Sequence, residues 1–384
     1  MAMDFAHRRQ LVGEVSVGAI SRIETVAEAL ELEAEWRGLE ARVPEATPFQ
    51  GFDWCRAWLE SASRGGPAET LRVLAIRHDG RLRLLWPLAV RRLWGFRVAH
   101  WLAEPLTQYG DVLVEPEQRR RWLEAAWNEI RAWKDVDALE FRRIRADAAI
   151  MAVPDVAAEA SRALDHAPFV DLRAGAGSAL RTSRTRNTLR RRLKQLQALG
   201  PVHCDLVETP AEQRRAVAEA LRFKARWLEA RGLASAGLSH PASEATLMAL
   251  AERGRLFVGR LGVGDETAAL EVGLVQGRRY CSFIQGYDAR FAQHGPGRVL
   301  VWQLIERCPD LGIDVFDFLA PAYEHKREWA SGETPMGDCI LPCSTKGVAA
   351  ASYLARIKPA LKEIYARLPA GARRRVAGLV GALN

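Results

Sequence analysis

The sequence predicts a mixed α/β protein with two halves, each a mainly antiparallel sheet flanked by helices. Three observations support this fold class. Apolar residues recur at helical spacing near the start of each half, and strand-like runs separated by Gly or Asp-Gly turns follow them. A further helix and strand then end each half. The same order without visible sequence identity suggests an old duplication of one α/β layer structure.

The elements of the first half follow from periodicity and turn signals. Leu32, Trp36 and Leu39 recur at roughly helical spacing, and Asp79-Gly80 is a typical hairpin turn. The predicted elements are helices over about 26–43 and 51–63, a hairpin over 71–90, a strand over 97–102, a helix over about 116–133 and a strand over 137–144.

The second half repeats this order. Gly232 is a normal C-terminal cap for its first helix, and Val301, Leu304 and Ile305 give its last helix one apolar face. The predicted elements are helices over 212–232 and 240–254, three strands within 255–287, a helix that follows a glycine loop and is ended by Gly312, and a strand over 313–320.

Length and composition fit two domains and a tail. Of the 384 residues, 48% are hydrophobic and 27% charged, which is normal for a globular chain that buries a core. We predict a first domain over 1–160, a second over 161–345 and a basic helical tail over 346–384. The net charge of +8 fits nucleic acid, anionic lipid or phosphorylated small molecules without selecting one.

The sequence lacks targeting, metal-binding and DNA-reading signals. Its N-terminal segment has no signal-peptide core, and no run reaches the ~18 apolar residues of a membrane span, so we expect a cytoplasmic protein. The six cysteines are scattered, and the pair Cys339 and Cys343 lacks a second Cys or His pair. We therefore predict reduced thiols and no metal. Specific DNA binding is not expected, because no DNA-binding motif is present.

The stretch FAQHGPGRVL, 291–300, predicts an anion site at the start of a helix. Gly295 and Gly297 carry no Cβ, so their amides can approach a ligand closely. A helix N-terminus adds about half a positive charge and free N–H donors, and Arg298 adds a full charge. We predict that these residues, with Gln293 and His294, bind a pyrophosphate. An ordinary structural turn is the open alternative.

The first half provides an internal control for this loop. Its equivalent helix opens with VEPEQ, so Glu115 and Glu117 occupy the position at the helix dipole that an anion would need. Carboxylates there stabilise the helix end and repel phosphate. If the halves are duplicates, only the second keeps the anion site.

A polar cluster follows the last predicted strand, in DFLAPAYEHKREWA. We predict that Tyr323 protonates a leaving thiolate and that Lys326 stabilises negative charge or holds a phosphate. Asp317 or Glu324 would orient or deprotonate an amine. A solvated loop with ordinary surface ion pairs is the alternative interpretation.

Substrate contacts are expected from both halves. LTQYGDVLV places Tyr109 and Asp111 in a segment of the first half analogous to the polar cluster, and Gln285 and Tyr287 end the strand before the glycine loop. Most tryptophans lie in the first half, where we expect them to pack in the core, with one or two left to stack on a sugar or a base.

Two basic stretches complete the sequence. Residues 181–200 predict an amphipathic surface helix, and its arginines are alternatively available to a nucleotide-sugar, a lipid diphosphate or tRNA. The segment after Thr345 predicts one or two basic amphipathic helices. A solvated tail and attachment to a partner or to anionic lipid are both open there.

Several motifs together resemble a known family. The segments are F-x-W-x-x-x-W from Phe52, DG-x-L-x-x-x-x-PL from Asp79, YGDVLV, FKARW, GYDARFAQHGPGRVL and GIDVFDFLAPAYEHKREW. They resemble the CelD/BcsL-type proteins of cellulose and exopolysaccharide biosynthesis. Those proteins belong to the GNAT acyltransferase superfamily and are related to the Fem peptidoglycan aminoacyltransferases. The resemblance spans roughly 27–345 and is most specific where the glycine loop is paired with DFL…Y-x-x-K-x-x-W.

The resemblance implies two tandem GNAT-like domains, of which the second binds acyl-CoA through the loop before its helix. By position, Gly295, Gly297 and Arg298 would hold the CoA pyrophosphate. Lys326 would lie near the reaction centre, and Asp111 would contact the acceptor. The chain departs from the family where Ala320-Pro321 follow DFL, at a place that often holds glycine.

The implied function is acyl-CoA-dependent N-acyl transfer, most simply acetyl transfer, to an amino sugar of an exopolysaccharide or cell-surface polysaccharide precursor, such as that of a holdfast- or cellulose-like adhesin. Acetyl-CoA would be the co-substrate, and a nucleotide- or lipid-linked amino sugar the acceptor. Peripheral association with the inner membrane or with polysaccharide synthesis proteins is open. A Fem-type tRNA-dependent aminoacyltransferase and a non-catalytic scaffold are the alternatives.

Overall fold

One thirteen-stranded sheet runs through both halves of the computed structural model, which describes residues 18–62, 69–173 and 183–367. The strands are β1 (Ala19–Ile23), β2 (Thr70–His78), β3 (Arg81–Leu93), β4 (Phe96–Trp101), β5 (Leu113–Val114), β6 (Ala138–Arg145), β7 (Asp165–Asp171), β8 (Val202–Leu206), β9 (Phe257–Val263), β10 (Glu266–Gln276), β11 (Arg279–Tyr287), β12 (Val315–Asp317) and β13 (Gly332–Pro342).

Helices cover both faces of this sheet. They are α1 (Val26–Glu31), α2 (Glu33–Glu40), α3 (Phe52–Ala62), α4 (Arg119–Arg131), α5 (Pro154–Ala160), α6 (Ser183–Gln197), α7 (Pro210–Ala230), α8 (Ala236–Ser239), α9 (Pro241–Glu252), α10 (Pro296–Arg307), α11 (Glu324–Arg327), α12 (Gly347–Ser352) and α13 (Lys358–Arg367). A π-helical turn, Tyr353–Ile357, joins the last two.

The two halves have the same strand pairing. In the sheet order β1-β2-β3-β4-β6-β13-β7-β12-β11-β10-β9-β8, the four strands at each end are antiparallel neighbours, and β5 pairs with β3. The fourth strand of each half then pairs in parallel with the strand after its helix, β4 with β6 and β11 with β12. This arrangement confirms the predicted mixed α/β fold with two similar, mainly antiparallel halves.

The two halves exchange one strand each. The strand after the first half, β7, joins the sheet of the second half, and the strand after the second half, β13, joins the sheet of the first. β7 pairs with β12, and β13 pairs with β6 and with β7 at the centre. Neither exchanged strand was predicted, because Pro168, Pro335 and Pro342 interrupt their strand patterns. The five-residue strands β1 and β8 were not predicted either. The domain boundaries at 160 and 345 stay a prediction.

Local signals explain where the elements begin and turn. Thr25 forms a capping box with Glu28 at the start of α1, and the Thr209 hydroxyl caps α7. Asp79 and Gly80 both have positive φ, at 52° and 70°, as the hairpin turn between β2 and β3 requires.

Alternate residues of the strands pack into different cores. Leu85 and Leu270 join one core with α1–α3, α7 and α9, which extends across both halves. Leu84 packs under α4 and α5, and Ala269 packs under α6 and α10. Because successive strand residues point to opposite faces, the sheet separates one shared core from two smaller ones. All six cysteines are free thiols, and four of them are buried.

A buried carboxylate forms hydrogen bonds and ion pairs with residues of both halves at the centre of the sheet. Asp317 is fully buried at the end of β12 and accepts hydrogen bonds from the Tyr109 hydroxyl at 2.6 Å and the Leu319 amide at 2.9 Å. Its second oxygen binds the guanidinium groups of Arg145 at 3.0 Å and Arg279 at 2.7 Å. Tyr109 and Arg145 come from the first half, so this one carboxylate joins residues of both.

We expect Asp317→Ala to lower the free energy of unfolding by about 3–5 kcal/mol, because it leaves two guanidinium groups near a buried site without their carboxylate. Tyr109→Phe removes one hydrogen bond to the same carboxylate and should cost only about 1 kcal/mol. Urea unfolding followed by circular dichroism measures both changes. Equal, small costs for the two variants would contradict this role for Asp317.

Candidate active site

A cleft opens where β11 and β12 diverge. The two strands pair at only three positions, Arg279 with Val315, Tyr280 with Phe316 and Cys281 with Asp317. Beyond them, a cleft of about 580 Å³ is lined on one side by Ser282 to Tyr287 and on the other by Phe318, Ala320 and Pro321. Helix α7 and the loop after it form another wall, and Leu106 and Gln108 reach in from the first half.

The floor of the cleft contains a β-bulge. The register between β10 and β11 shifts by one residue, since Val272 faces Ile284 while Gly273 faces Ser282. Phe283 therefore has no partner position on β10. On the β12 side, the backbone of 282–287 has no strand partner in the described chain. These backbone groups are candidate hydrogen-bond donors to a developing oxyanion.

The glycine loop lies beside this cleft and has the geometry of a helix N-terminus. Gly295 is the N-cap of α10 in the left-handed conformation, φ 59° and ψ 53°, and Pro296 is the first helical residue. Gly297 is buried, and its carbonyl accepts a hydrogen bond from the Gln285 side chain at 3.3 Å. A Cβ on Gly297 would lie 3.3 Å from Cδ of Gln285, so a larger residue there would displace that side chain.

Two arginines give this loop a positive charge. Nη1 of Arg192, from α6, would lie 2.0 Å from a Cβ on Gly295, so the guanidinium rests directly on the glycine. Burial and the neighbouring Arg298 and Arg191 lower the pKa of Arg192. Arg298 lines the cleft and binds Glu328, while its Nε is buried without a hydrogen-bond partner among the described residues. An anion here would relieve the repulsion between the two guanidinium groups.

The equivalent helix of the first half has a similar start and a different environment. Gln118, the N-cap of α4, is also left-handed at φ 55°. The predicted position of Glu115 at this helix end was wrong: the first turn of α4 contains no acidic residue, and Glu115 instead binds Arg42 and Arg83. No local pattern indicates which arginines bind this carboxylate, because both lie far from it along the chain.

Aromatic side chains fill the gap in the first half that corresponds to the cleft. Trp101, at the end of β4, donates its indole N–H to the carbonyl of Arg142 on β6 at 2.8 Å. Its ring stacks on Phe141 at 4.5 Å between centroids. The first half therefore has a packed core where the second has an open cleft.

Lys326 projects into the cleft from the short helix α11. Its ammonium group donates to the carbonyl of Leu319 at 3.0 Å and lies 5.6 Å from the ring centroid of Tyr323. Burial lowers the pKa of Lys326 to about 8, against the attraction of Asp317, which raises it. A lysine with this pKa can give up and take back a proton near neutral pH.

The structure brings some of the other predicted residues into the cleft. Tyr323 lines it with an exposed ring stacked on His325, and Gln285 and Tyr287 line it from β11. Glu324 is exposed at the start of α11 and is not part of the cleft lining.

The remaining predicted cofactor residues flank the glycine loop. Gln293 is exposed and His294 half-buried in the turn before Gly295, and the two side chains contact each other at 3.1 Å. Their predicted roles stay predictions.

Three predicted residues lie outside the cleft. Asp317 and Tyr109 bind each other at the centre of the sheet, where burial raises the pKa of the Tyr109 hydroxyl well above its ordinary value. Asp111 accepts hydrogen bonds from the amides of Ala149 and Ile150 and lines, with Tyr109, a separate pocket of about 270 Å³. The side chains of all three residues therefore hold separate parts of the chain together and do not face the cleft.

A buried carboxylate beneath the cleft was not among the predicted site residues. Glu271 on β10 has no exposed surface, accepts a hydrogen bond from the Ser282 hydroxyl, and lies 3.4 Å from the Tyr280 hydroxyl. Its Oε2 has no hydrogen-bond partner among the described residues. Burial raises the pKa of Glu271 to about 7. The available signal was a single glutamate inside the otherwise apolar run AALEVGLV.

Residues 183–327 match the family model described as "Acetyltransferase (GNAT) domain". This segment is thus similar to GNAT domains. The match contains the glycine loop, β11, β12 and Lys326, and it supports an acyltransferase activity. No curated protein matches the chain.

Solved structures with a similar fold cover both halves. A crystal structure of FemX is 11% identical, with a TM-score of 0.59 over 83% of this chain and 96% of that one. The C-terminal domain of a putative lysylphosphatidylglycerol synthetase from Agrobacterium fabrum is 13% identical, with a TM-score of 0.52 over 86% and 96%. At these identities the likeness concerns the fold. Among the described residues, no helix is long and apolar enough to cross a membrane, and no cluster of side chains is placed to hold a metal ion.

The raised pKa of Glu271 predicts a pH-dependent stability. Between its ordinary value of 4.5 and about 7 the folded chain keeps a proton that the unfolded chain releases, so this group lowers stability as pH rises. Glu271→Gln cannot titrate. The unfolding free energy of Glu271→Gln minus that of wild type should therefore be larger at pH 8 than at pH 4, by on the order of 3 kcal/mol.

Urea unfolding at the two pH values measures this difference. The control is Glu266→Gln at the exposed start of the same strand, which should follow the wild-type pH dependence. A constant difference between Glu271→Gln and wild type across this range would refute the shifted pKa.

Proposed function

We propose that this protein is an acyl-CoA-dependent N-acyltransferase that acetylates an amino sugar of an exopolysaccharide or cell-surface polysaccharide precursor. One observation carries the proposal: the open cleft between β11 and β12 lies beside a glycine N-cap that is flanked by two guanidinium groups. A thioester in the cleft and a diphosphate at the loop fit these two environments.

The loop residues suit the diphosphate of CoA. The free amides at the start of α10 and the partial charge of the helix attract anions. Arg192 and Arg298 repel each other at this place, and Arg298 has a buried, unpaired Nε. A diphosphate would supply the missing acceptor and the missing negative charge. Arg192 was not among the predicted cofactor residues, although the sequence analysis kept a diphosphate contact open for the arginines of α6.

The cleft residues suit the acyl transfer itself. The nitrogen of the acceptor attacks the thioester carbonyl, and the backbone groups at the bulge on β11 are positioned to stabilise the oxyanion. The C–S bond then breaks and the thiolate needs a proton. The pKa of Lys326, about 8, is close to that of an ordinary thiol near 8.5, so its ammonium group is matched to this transfer. Tyr323 is a second donor at the mouth of the cleft.

The acceptor side of the cleft is aromatic and polar. Trp227, Phe283 and Tyr323 offer ring faces, while Gln108 and Ser235 offer hydrogen-bonding groups. A sugar ring has an apolar C–H face and a polar rim, so it fits such a lining. This composition favours a carbohydrate acceptor over the alternatives of a tRNA-dependent aminoacyltransferase and a scaffold.

We expect isothermal titration of acetyl-CoA to give a micromolar Kd for wild type. Gly297→Glu should weaken binding at least 100-fold, because its carboxylate would occupy the anion site and displace Gln285. Arg192→Met should weaken it roughly tenfold, about 1.4 kcal/mol. Arg215→Met removes an exposed arginine on α7 and should bind like wild type.

Circular dichroism would establish that each variant is folded. Absence of acetyl-CoA binding to wild type would overturn the proposed function and favour the tRNA-dependent or scaffold alternatives.

We also propose that the C-terminal helices attach the protein peripherally to an anionic membrane. Residues 346–384 contain eight basic residues and one acidic residue, Glu363, so they hold +7 of the net charge of +8. Ala350 and Leu354 are buried, whereas Ile357, Leu361 and Ile364 continue at helical spacing with exposed side chains. A basic helix with an uncovered apolar stripe is typical of interfacial binding.

Co-sedimentation with vesicles tests this attachment. We expect binding to vesicles containing phosphatidylglycerol at low salt, and little binding to pure phosphatidylcholine. Leu361→Glu should reduce binding about tenfold or more. Leu311→Glu, at an exposed leucine outside these helices, should leave it unchanged. Equal binding of both variants would count against the helical attachment.

A further inference from the structure

We propose that Glu271 and Ser282 form a relay that takes the proton from the attacking nitrogen of the acceptor. This inference rests on the proposed acyl transfer and identifies the group that removes the proton, which the sequence left unassigned. It makes Ser282 the catalytic residue that contacts the acceptor and Glu271 the positioning residue that acts through it.

The geometry connects a buried carboxylate to the cleft through one hydroxyl group. Ser282 lines the cleft, and its hydroxyl donates to Oε1 of Glu271. Glu271 itself has no exposed surface. A proton that leaves a group bound in the cleft can therefore reach the carboxylate by a single exchange at the serine oxygen.

The described surroundings of Glu271 lack the full set of hydrogen bonds and the salt bridge that normally stabilise a buried carboxylate. Its Oε2 has no hydrogen-bond partner, and no basic group lies within 4.0 Å of it, among the described residues. Lys224 on α7 and Lys326 on α11 act on it only at longer range. An uncompensated buried carboxylate is costly for a fold. Its cost is understandable if the group has a task in the cleft.

The titratable and polar groups around Glu271 fit proton acceptance. Tyr280, Ser282 and Gln285 face it from β11, and Lys224 faces it from α7. Burial raises its pKa to about 7, so it is a stronger base than an ordinary glutamate and still half ionised at neutral pH. The hydrogen bonds from β11 oppose this rise and keep the ionised form accessible.

The carboxylate is also coupled to the glycine loop. Gln285 faces Glu271 and lowers its pKa, and the same side-chain amide donates to the carbonyl of Gly297 at 3.3 Å. The same side chain therefore positions the relay relative to the start of α10. This contact places the proton acceptor and the proposed diphosphate site in one connected group of residues.

The step balances without any further reactant. A neutral acceptor amine forms the N–C bond with the acyl carbon while one of its N–H protons passes to the Ser282 oxygen. The serine proton moves to Oε1 of Glu271. The C–S bond breaks, and the thiolate takes a proton from the Lys326 ammonium group. Glu271 then returns a proton to Lys326 through solvent, which leaves an amide and a free thiol.

Kinetics against pH, with acetyl-CoA and D-glucosamine as the amine probe, tests the relay. Release of free thiol is followed from pH 5.5 to 9. Glu271→Gln and Ser282→Ala should each lower kcat by about 100-fold or more, the usual contribution of a general base. Protonation of the amine slows wild type and variants alike below pH 7, so the ratio of wild-type to variant rate should fall as the pH drops below 7. The double variant should be no slower than the slower single variant, because both residues serve one path.

Two controls separate a relay from a structural effect. Glu266→Gln, at the exposed start of β10, should retain wild-type kcat and pH profile. Calorimetric Kd values for acetyl-CoA should change less than threefold in Glu271→Gln and Ser282→Ala, since the relay acts on the acceptor.

The outcomes distinguish the two proposals. A wild-type enzyme that turns over at a rate whose ratio to that of Glu271→Gln stays constant below pH 7 would overturn the relay. A Glu271→Gln variant that loses acetyl-CoA binding together with activity would assign the carboxylate to positioning Gln285 and would also overturn it. A wild type that neither binds acetyl-CoA nor releases thiol removes the proposed function, and the relay with it.

Discussion

The carboxylate of Asp317 determines how the centre of the molecule is built. It ends the short paired stretch of β12, and there it meets a tyrosine and an arginine of the first half, an arginine of β11 and the amide of Leu319. All its hydrogen-bonding capacity is used inside the protein. The chain that follows turns away from β11, and the carbonyl of Leu319 becomes the partner of Lys326. The cleft and the junction between the halves therefore depend on the same side chain.

The two halves use one topology for different purposes. Both contain a helix with a left-handed N-cap between two parallel strands, at Gln118 and at Gly295. In the first half Trp101 spans the adjoining gap and its carboxylate Glu115 is held by arginines of the same half. In the second half the gap is open, and Arg192 and Arg298 stand beside the loop, where Arg298 binds Glu328. The asymmetry lies in the side chains, while the backbone framework is common.

The sequence predicted the order of helices and meanders because those signals are local. The Asp79-Gly80 turn and the glycine loop were located by residue type alone. The exchanged strands depend on pairing across more than 140 residues of chain, which local patterns do not contain. Asp317 was predicted at the reaction centre because it ends a strand; its side chain instead points away from Phe316 and Phe318, toward Tyr109. Glu271 was missed because a pattern does not tell which strand residue lies under a cleft.

The exchange of β7 and β13 has a consequence for how the chain is made. As a ribosome releases the chain from its N-terminus, β6 is exposed as a sheet edge until β13, almost two hundred residues later, has been synthesised. β7 emerges soon after β6 and has to wait for β12 and β13, its partners. Unpaired edges of this kind are where nascent chains associate wrongly. Neither half is thus complete before β13 has been synthesised, and the native sheet closes only then.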